Sequence, residues 1–422
     1  MNRFVYSLLL TLLLPLVLLY LLWRSRKEPG YRQRLTERFG LTRPARSGGI
    51  LVHCASVGET LAAMPLIRAL QARYPQKTLT VTSTTPTGSA QVRKQLGDSV
   101  QHCYLPLDLP GPCKRFLRAL QPELVILVET ELWPNLIHVS KRQGSKVMVT
   151  NARLSARSAE GYQRWPRLVR PMLSELDAVA MQNEIDAERM VSLGLDPAKL
   201  RVCGSLKFDL QIPADAEQQL AAQRHDYLGE RSVWCAGSTH PGEFEQALDA
   251  HRQLLTTHPD LLLILVPRHP EQFDHAFELS QQAGFKVVRR SDQGQVDQSV
   301  QVLIGDTMGE LLTLYGFSDA CLVGGSLIPR GGHNPLEPAA LSKPVIMGTH
   351  YFNFAEIGDS LRQADAMLVV NNGDELAQQL EQLLSLRSEA RAMGKRGLRV
   401  VEINRGATQR QQAVAEQLLG AA

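Results

Sequence analysis

The chain has no CxxC pair among its six cysteines, Cys54, Cys103, Cys113, Cys203, Cys235 and Cys321, and most of these lie in apolar, strand-like runs. That excludes a disulfide framework or a zinc site of familiar spacing, and it reads as buried free thiols in a reducing compartment. There is no GxxxxGK[ST] loop, no GxGxxG after a first strand, no GxSxG elbow and no HExxH pair. Walker-type nucleotide hydrolysis, the usual dinucleotide fingerprint, an α/β-hydrolase nucleophile and a zinc protease are therefore unsignalled. No DxD-type acid pair follows a strand, where a metal-bridged diphosphate would need one; neither a metal nor a resident cofactor is expected. Solenoid-period repeats and low-complexity tracts are also missing.

Excess charge is scarce overall, with a net +4 over 422 residues, but it is unevenly placed. Between Arg24 and Arg46 eight basic residues face only Glu28 and Glu37, which leaves the remainder at about −2 and excludes a general polyanion or nucleic-acid binder. This basic segment follows the one long apolar run, Val5 to Trp23, which is mostly leucine. At about 1.5 Å per residue the run is long enough for a bilayer core. It lacks a small-residue cleavage site before Arg24, which favours an uncleaved single-pass anchor over a signal peptide. Positive charge behind the run puts everything from Arg24 onward on the cytoplasmic side. Tyr31, Leu35 and Phe39 recur at helical spacing among arginines, a pattern that suits an anionic membrane surface or a solvated linker helix.

From residue 50 short apolar runs alternate with helix-period stretches, the signature of α/β architecture with a parallel sheet covered on both faces. Strands are expected at Ile50–Ala55, Leu79–Ser83, Leu124–Glu129, Lys146–Thr150, Ala178–Gln182 and Leu200–Cys203. A second series is expected at Ser232–Ala236, Leu261–Val266, Lys286–Arg289, Val300–Ile304, Ala320–Val323, Val345–Met347 and Ala366–Val370. The expected organisation is an anchor (1–23), a basic membrane-proximal segment (24–48), a Rossmann-like domain (49–206), a linker (207–230), a second Rossmann-like domain (231–405) and a C-terminal helix (406–422) able to cross back to the first. Two doubly wound domains facing a cleft would result.

Chemistry-bearing residues gather where strands turn into helices. In Gly324–Pro338, glycines can let amides approach a phosphate, and the following helix start can add N–H donors, with Glu337 placed for ribose hydroxyls. The competing reading is a glycine-rich turn capped by Asn334. Glu59, after Ser56-Val57-Gly58, is either a helix-dipole acid or a general base. Glu129 and Glu131 end a strand beside Trp133, an arrangement able to hold a sugar. Arg153 and Arg157 can pair with carboxylates or hold an anionic acceptor, and Arg164 and Arg167 flank Trp165 in a basic helix suited to a lipid headgroup or to plain solvent exposure. Lys207 closes the first domain, Arg268 suits a phosphate, and the turn at Met308, Gly309 and Glu310 can offer amides.

Taken together, HCASVGET, ETELWPNLI, NARLSARS, GSLKFD, LVPRHPE, GDTMGELL and VGGSLIPRGGHNPLEPAA resemble the 3-deoxy-D-manno-octulosonic acid (Kdo) transferases of lipopolysaccharide assembly, from the apolar N-terminus almost to the C-terminus. The resemblance implies a GT-B fold on the cytoplasmic side of the inner membrane, with CMP-Kdo as donor and a lipid A precursor as acceptor. It implies Glu59 as general base, with Glu129 and Lys207 in support, and CMP bound by Arg268, Met308, Gly309, Glu310, Asn334 and Glu337. On the residue reading above, acceptor contacts are expected at Trp133, Arg153, Arg157, Arg164 and Arg167. The alternatives are a UDP-sugar-dependent GT-B transferase or epimerase, and a non-catalytic membrane-anchored nucleotide binder.

Overall fold

The computed structural model describes residues 1–422 apart from 27, 43, 211, 213–215, 293–295 and 421–422. The chain divides into two compact units, one of residues 1–209 with 405–422, the other of residues 210–404.

In the first unit β1 (Ile50–His53), β2 (Leu79–Ser83), β3 (Gln101–Tyr104), β4 (Leu124–Val128), β5 (Lys146–Ala152), β6 (Ala178–Met181) and β7 (Leu200–Val202) form one parallel sheet. Its order is β3-β2-β1-β4-β5-β6-β7. The order reverses between β1 and β4, which pair in register from Ile50 opposite Leu124 to His53 opposite Leu127. At such a switch point the connections leave in opposite directions and open a crevice beyond the strands' carboxyl ends. Apolar residues fill both faces of the sheet, with Phe116, Leu117 and Ile137 on one side and Ile67, Leu70 and Val92 on the other.

The second unit repeats the design with β8 (Val233–Thr239), β9 (Leu262–Pro267), β10 (Val287–Arg289), β11 (Val302–Ile304), β12 (Ala320–Val323), β13 (Val345–Gly348) and β14 (Met367–Val370). The order β10-β11-β9-β8-β12-β13-β14 puts its switch point between β8 and β12.

Two features depart from the sequence reading, and a third, the last helix, takes the course open to it. β3 went unrecognised because Gln101 and His102 break the apolar run of an edge strand. The stretch 207–230, expected to be a linker, contains the helix Ala216–Leu228, which packs on the helix Leu311–Gly316 and belongs to the second unit. Its glutamine-rich face hid the few apolar residues that seat it, and part of that expected linker, at 211 and 213–215, lies outside the described residues. The C-terminal helix Ala407–Leu418 packs on the helix Val57–Arg73 and on β5 and β6.

The N-terminal helix, Arg3–Arg24, is capped by the Asn2 side chain and exposes most of its leucines. Its less exposed residues, Arg3, Tyr6, Ser7, Leu10, Leu14, Val17, Leu18, Leu21 and Ser25, recur at three- and four-residue intervals, one stripe along its whole length.

Candidate active site

At the first switch point, β1 hands over to the helix Val57–Arg73 through Ser56, whose hydroxyl caps the helix by accepting from the Glu59 amide at 3.3 Å. Glu59 answers by accepting from the Ala55 amide at 2.7 Å and from the Ser56 hydroxyl at 2.8 Å, completing a reciprocal capping box. The helix-start reading of Glu59 is thus realised, and the helix start that holds its carboxylate also buries it. Burial pushes the carboxyl up to about 7; the Ala55 and Ser56 hydrogen bonds pull it down, and the neighbouring Glu131 and Glu129 raise it again. A carboxylate poised near neutrality is matched to proton abstraction at physiological pH.

Glu129 leaves β4 in a left-handed backbone conformation, φ 58°, which a side-chain-bearing residue adopts at a cost of about 1–3 kcal/mol. Its carboxylate accepts from Arg153 Nε at 3.1 Å, and the Thr130 hydroxyl donates to the Arg153 carbonyl. Arg153 therefore takes the carboxylate-pairing option of the two expected for it. Glu131 accepts from the Trp133 indole at 2.9 Å and stands 3.9 Å from His53 Nε2, a buried nitrogen without a hydrogen-bond partner among the described residues. Trp133 is half-buried against the core. Lys207 sits in the short turn Leu206–Phe208, which packs on the helix Val57–Arg73; the Leu206 amide donates to the Asn151 side chain at 3.0 Å. The first unit thus gathers Glu59, Glu129, Glu131, Trp133 and Arg153, whereas Arg157, Arg164 and Arg167 lie apart, exposed on the helices Ala156–Gln163 and Pro166–Ser174 and their junction.

At the second switch point the glycine loop proves differently built than its sequence suggests. The fully buried Glu243 carboxylate accepts from the amides of Gly325 at 2.7 Å, Ser326 at 3.0 Å, Leu327 at 3.0 Å and His240 at 3.0 Å. Burial raises its pKa and these amides lower it. Three loop amides expected to face a phosphate are thereby committed inward. Gly324 is required by close approach, since a Cβ there would stand 2.5 Å from the Ser238 carbonyl, and Gly325 by its φ of 68°. The following helix, Leu336–Ala339, is a single turn with Pro335 at its N-cap; its Leu336 amide donates to Asn334 Oδ1 at 3.1 Å, so Asn334 closes the turn that leads into the helix and little dipole is available.

What the loop presents is side chains. Asn334 Nδ2 approaches Glu337 Oε1 at 3.5 Å, and burial raises the Glu337 carboxyl while Asn334 and Arg268 hold it down. Arg268 is exposed just beyond β9, its amide donating to the Thr239 carbonyl. His240 and His333 stack with centroids 5.2 Å apart and Nε2 atoms at 2.9 Å, and His269 lies edge-on to His240 at 5.5 Å. Burial, then Arg268 and the other imidazoles, push His333 down to about 3, so one histidine of the pair is neutral and accepts. Beyond β11, the Met308 and Gly309 amides have no acceptor among the described residues, and Met308 is 61% exposed. Glu310 is held by Thr307 and by Arg290 at 3.2 Å, both of which lower its pKa.

Glu243, Arg290 and the His240–His333 pair escaped sequence reasoning. Glu243 could have been suspected, as an acid four residues after a strand end at a glycine-bearing switch point; the histidine pair joins residues 93 apart in sequence, with no local signal.

A family model described as 3-deoxy-D-manno-octulosonic-acid transferase matches residues 33–210. A curated 3-deoxy-D-manno-octulosonic acid transferase from Haemophilus influenzae is 44% identical over 414 residues, covering 97% of each chain. A solved C-terminal CMP-Kdo binding domain from Acinetobacter baumannii is 37% identical, covering 44% of this chain and 98% of that one with a TM-score of 0.42. The UDP-GlcNAc 2-epimerase of Neisseria meningitidis, at 14% identity, 88% and 100% coverage and a TM-score of 0.57, shares the two-unit GT-B fold.

Proposed function

The chain belongs to the 3-deoxy-D-manno-octulosonic acid transferases, glycosyltransferases of lipopolysaccharide biosynthesis, and from that premise we propose that it transfers Kdo from CMP-Kdo to a lipid A precursor, lipid IVA, one residue or two in succession, at the cytoplasmic face of the inner membrane, with Glu59 as base. The observation that carries this is the Glu59 carboxylate itself, fixed by a capping box at the sheet's switch point and raised by burial to about 7.

In the proposed reaction Glu59 takes the proton of an acceptor sugar hydroxyl as that oxygen attacks the anomeric carbon of Kdo. The bond from that carbon to the phosphate oxygen breaks with its electron pair leaving on CMP, and a single displacement inverts the centre. Arg268 and Lys207 supply positive charge for the leaving phosphate, and the Met308 and Gly309 amides add donors. Glu337, steered by Asn334, accepts from the ribose hydroxyls. Glu129, pinned by Arg153, orders the acceptor sugar beside the base. Because the leaving group carries one phosphate and fixed cations meet its charge, transfer is expected to persist after exhaustive chelation; a loss restored by a divalent ion would overturn that part.

The test is Kdo transfer by Glu59→Gln and Glu59→Ala. Both are expected to retain CMP affinity while transfer falls about 10²-fold or more, the usual worth of a positioned base. Near-normal transfer would remove Glu59 from that role.

A further inference from the structure

The N-terminal helix is apolar enough and long enough to cross a bilayer, yet its contacts are those of a helix lying down. At its first turn Arg3 Nη1 donates to Asn135 Oδ1 at 3.1 Å, Asn135 Nδ2 donates to the Ser7 hydroxyl at 3.0 Å, and Tyr6 hydrogen-bonds Asp108. The receiving residues are fixed in their turn. Asn135 and Asp108 are buried, and Asp108 accepts from the Asn135 and Leu136 amides at 3.1 and 2.8 Å. At the far end Leu21 and Ser25 are buried, and the partly covered stripe runs unbroken between.

Twenty-two residues at about 1.5 Å each measure roughly 33 Å, the thickness of a hydrocarbon core. A helix crossing that core, with the rest of the chain on its C-terminal side, would carry Arg3 to the opposite face, out of reach of Asn135. The two placements exclude each other. The outward face is Phe4, Leu8, Leu9, Leu12, Leu13, Leu16, Leu19, Tyr20, Leu22 and Trp23, with Phe4 75%, Leu12 67% and Leu16 61% exposed. Trp23 and then Arg24 and Arg26 end it, an interfacial aromatic followed by cations that complement an anionic lipid surface.

We propose that the N-terminal helix does not cross the membrane but lies in one leaflet, clamped to the first unit through Asn135 and Asp108, so that the turn bearing Glu129, Glu131 and Trp133 sits at the lipid surface. The occupant of the outward face is the acyl and headgroup region of an anionic bilayer. This assigns a role to Asn135, which ends the ELWPN motif and whose side chain bonds Arg3, Ser7 and the Asp108 carbonyl. It draws on the function proposed above only for the whereabouts of a lipid acceptor; its own test reads topology.

The six native cysteines are buried, so Asn2→Cys can be labelled with a membrane-impermeant maleimide in cells producing the full chain. Glu188→Cys, exposed on the first unit, marks the side of the catalytic units. The two positions are expected to label alike, in inverted membrane vesicles and not in intact spheroplasts. Labelling of the two from opposite sides, or loss of residue 2 by cleavage, overturns the proposal. With purified chain and vesicles of mixed neutral and anionic phospholipid, the double change Leu12→Glu with Leu16→Glu is expected to lower the bound fraction about tenfold or more, since two leucines leave the lipid. An unchanged bound fraction accompanied by a smaller oligomer would give this face to a second copy instead, and would equally overturn it.

Discussion

At Glu59 one set of contacts both starts a helix and sets how the residue titrates. The capping box holds its oxygens in place, and the desolvation that accompanies it moves its titration to where a base is useful. If it is the base, transfer rises with pH through about 7 as Glu59 ionises, and Glu59→Gln loses this acidic limb along with the rate. The same shift has a stability consequence of determinate sign. The folded carboxyl binds its proton more tightly than the unfolded one, so Glu59 makes the protein less stable as pH climbs from 4.5 to about 7. Denaturant midpoints across that window should fall more in the wild type than in Glu59→Gln; equal slopes would deny the raised pKa. Glu243 is the counterpart in the second unit, a carboxylate with no chemistry to perform. Glu243→Ala strands several buried amides and should cost about 2–4 kcal/mol in the unfolding of that unit, weakening CMP binding as the loop loosens. Wild-type stability would contradict its assignment as the loop's anchor.

Among the elements, long buried strands were the most legible in the sequence. β4, an uninterrupted Leu-Val-Ile-Leu-Val run, could hardly be anything else, while β3 was hidden by polar edge positions and the helix Ala216–Leu228 by its glutamines. The sites followed the same division. Their placement at strand ends was readable because glycines, carboxylates and caps cluster there in sequence. The direction of the loop amides was not, since Glu243 reaches them across 82 to 84 residues. The turn after β11 is similarly buttressed from a distance, by Arg290 on Glu310. Arg290→Ala should free Glu310 and raise the dissociation constant for CMP about tenfold, roughly one charge-assisted hydrogen bond, with little change in acceptor KM. An unaltered CMP affinity would separate this turn from the nucleotide. In the first unit the C-terminal helix supplies Gln411, whose side chain accepts from the Asn151 amide at 2.8 Å and donates to the Gly204 carbonyl at 2.9 Å. The first turns of the last helix thus brace the strand ends nearest Lys207.

For the whole molecule, the sequence announced two α/β units and a basic, apolar N-terminus, and the charge distribution assigned those properties to one end of the chain. It allowed for a last helix that crosses back to the first unit, as the contacts of that helix now show, but it did not reveal that the first turn of the apolar helix is hydrogen-bonded to that unit. Both depend on contacts between residues more than a hundred positions apart. They also give the first unit a consistent character, with the acid cluster, the clamped helix and the exposed Arg164, Trp165 and Arg167 all in the part of the chain suited to a lipid-borne acceptor. The central claim, that Glu59 is the base in transfer of Kdo from CMP-Kdo to a lipid A precursor, is tested most directly by incubating full-length protein with both substrates and resolving the lipid products by mass. Wild-type protein should add one or two Kdo residues and release CMP, and Glu59→Gln should bind CMP equally while forming about a hundredth of the product or less. Equal product from both proteins would contradict the claim.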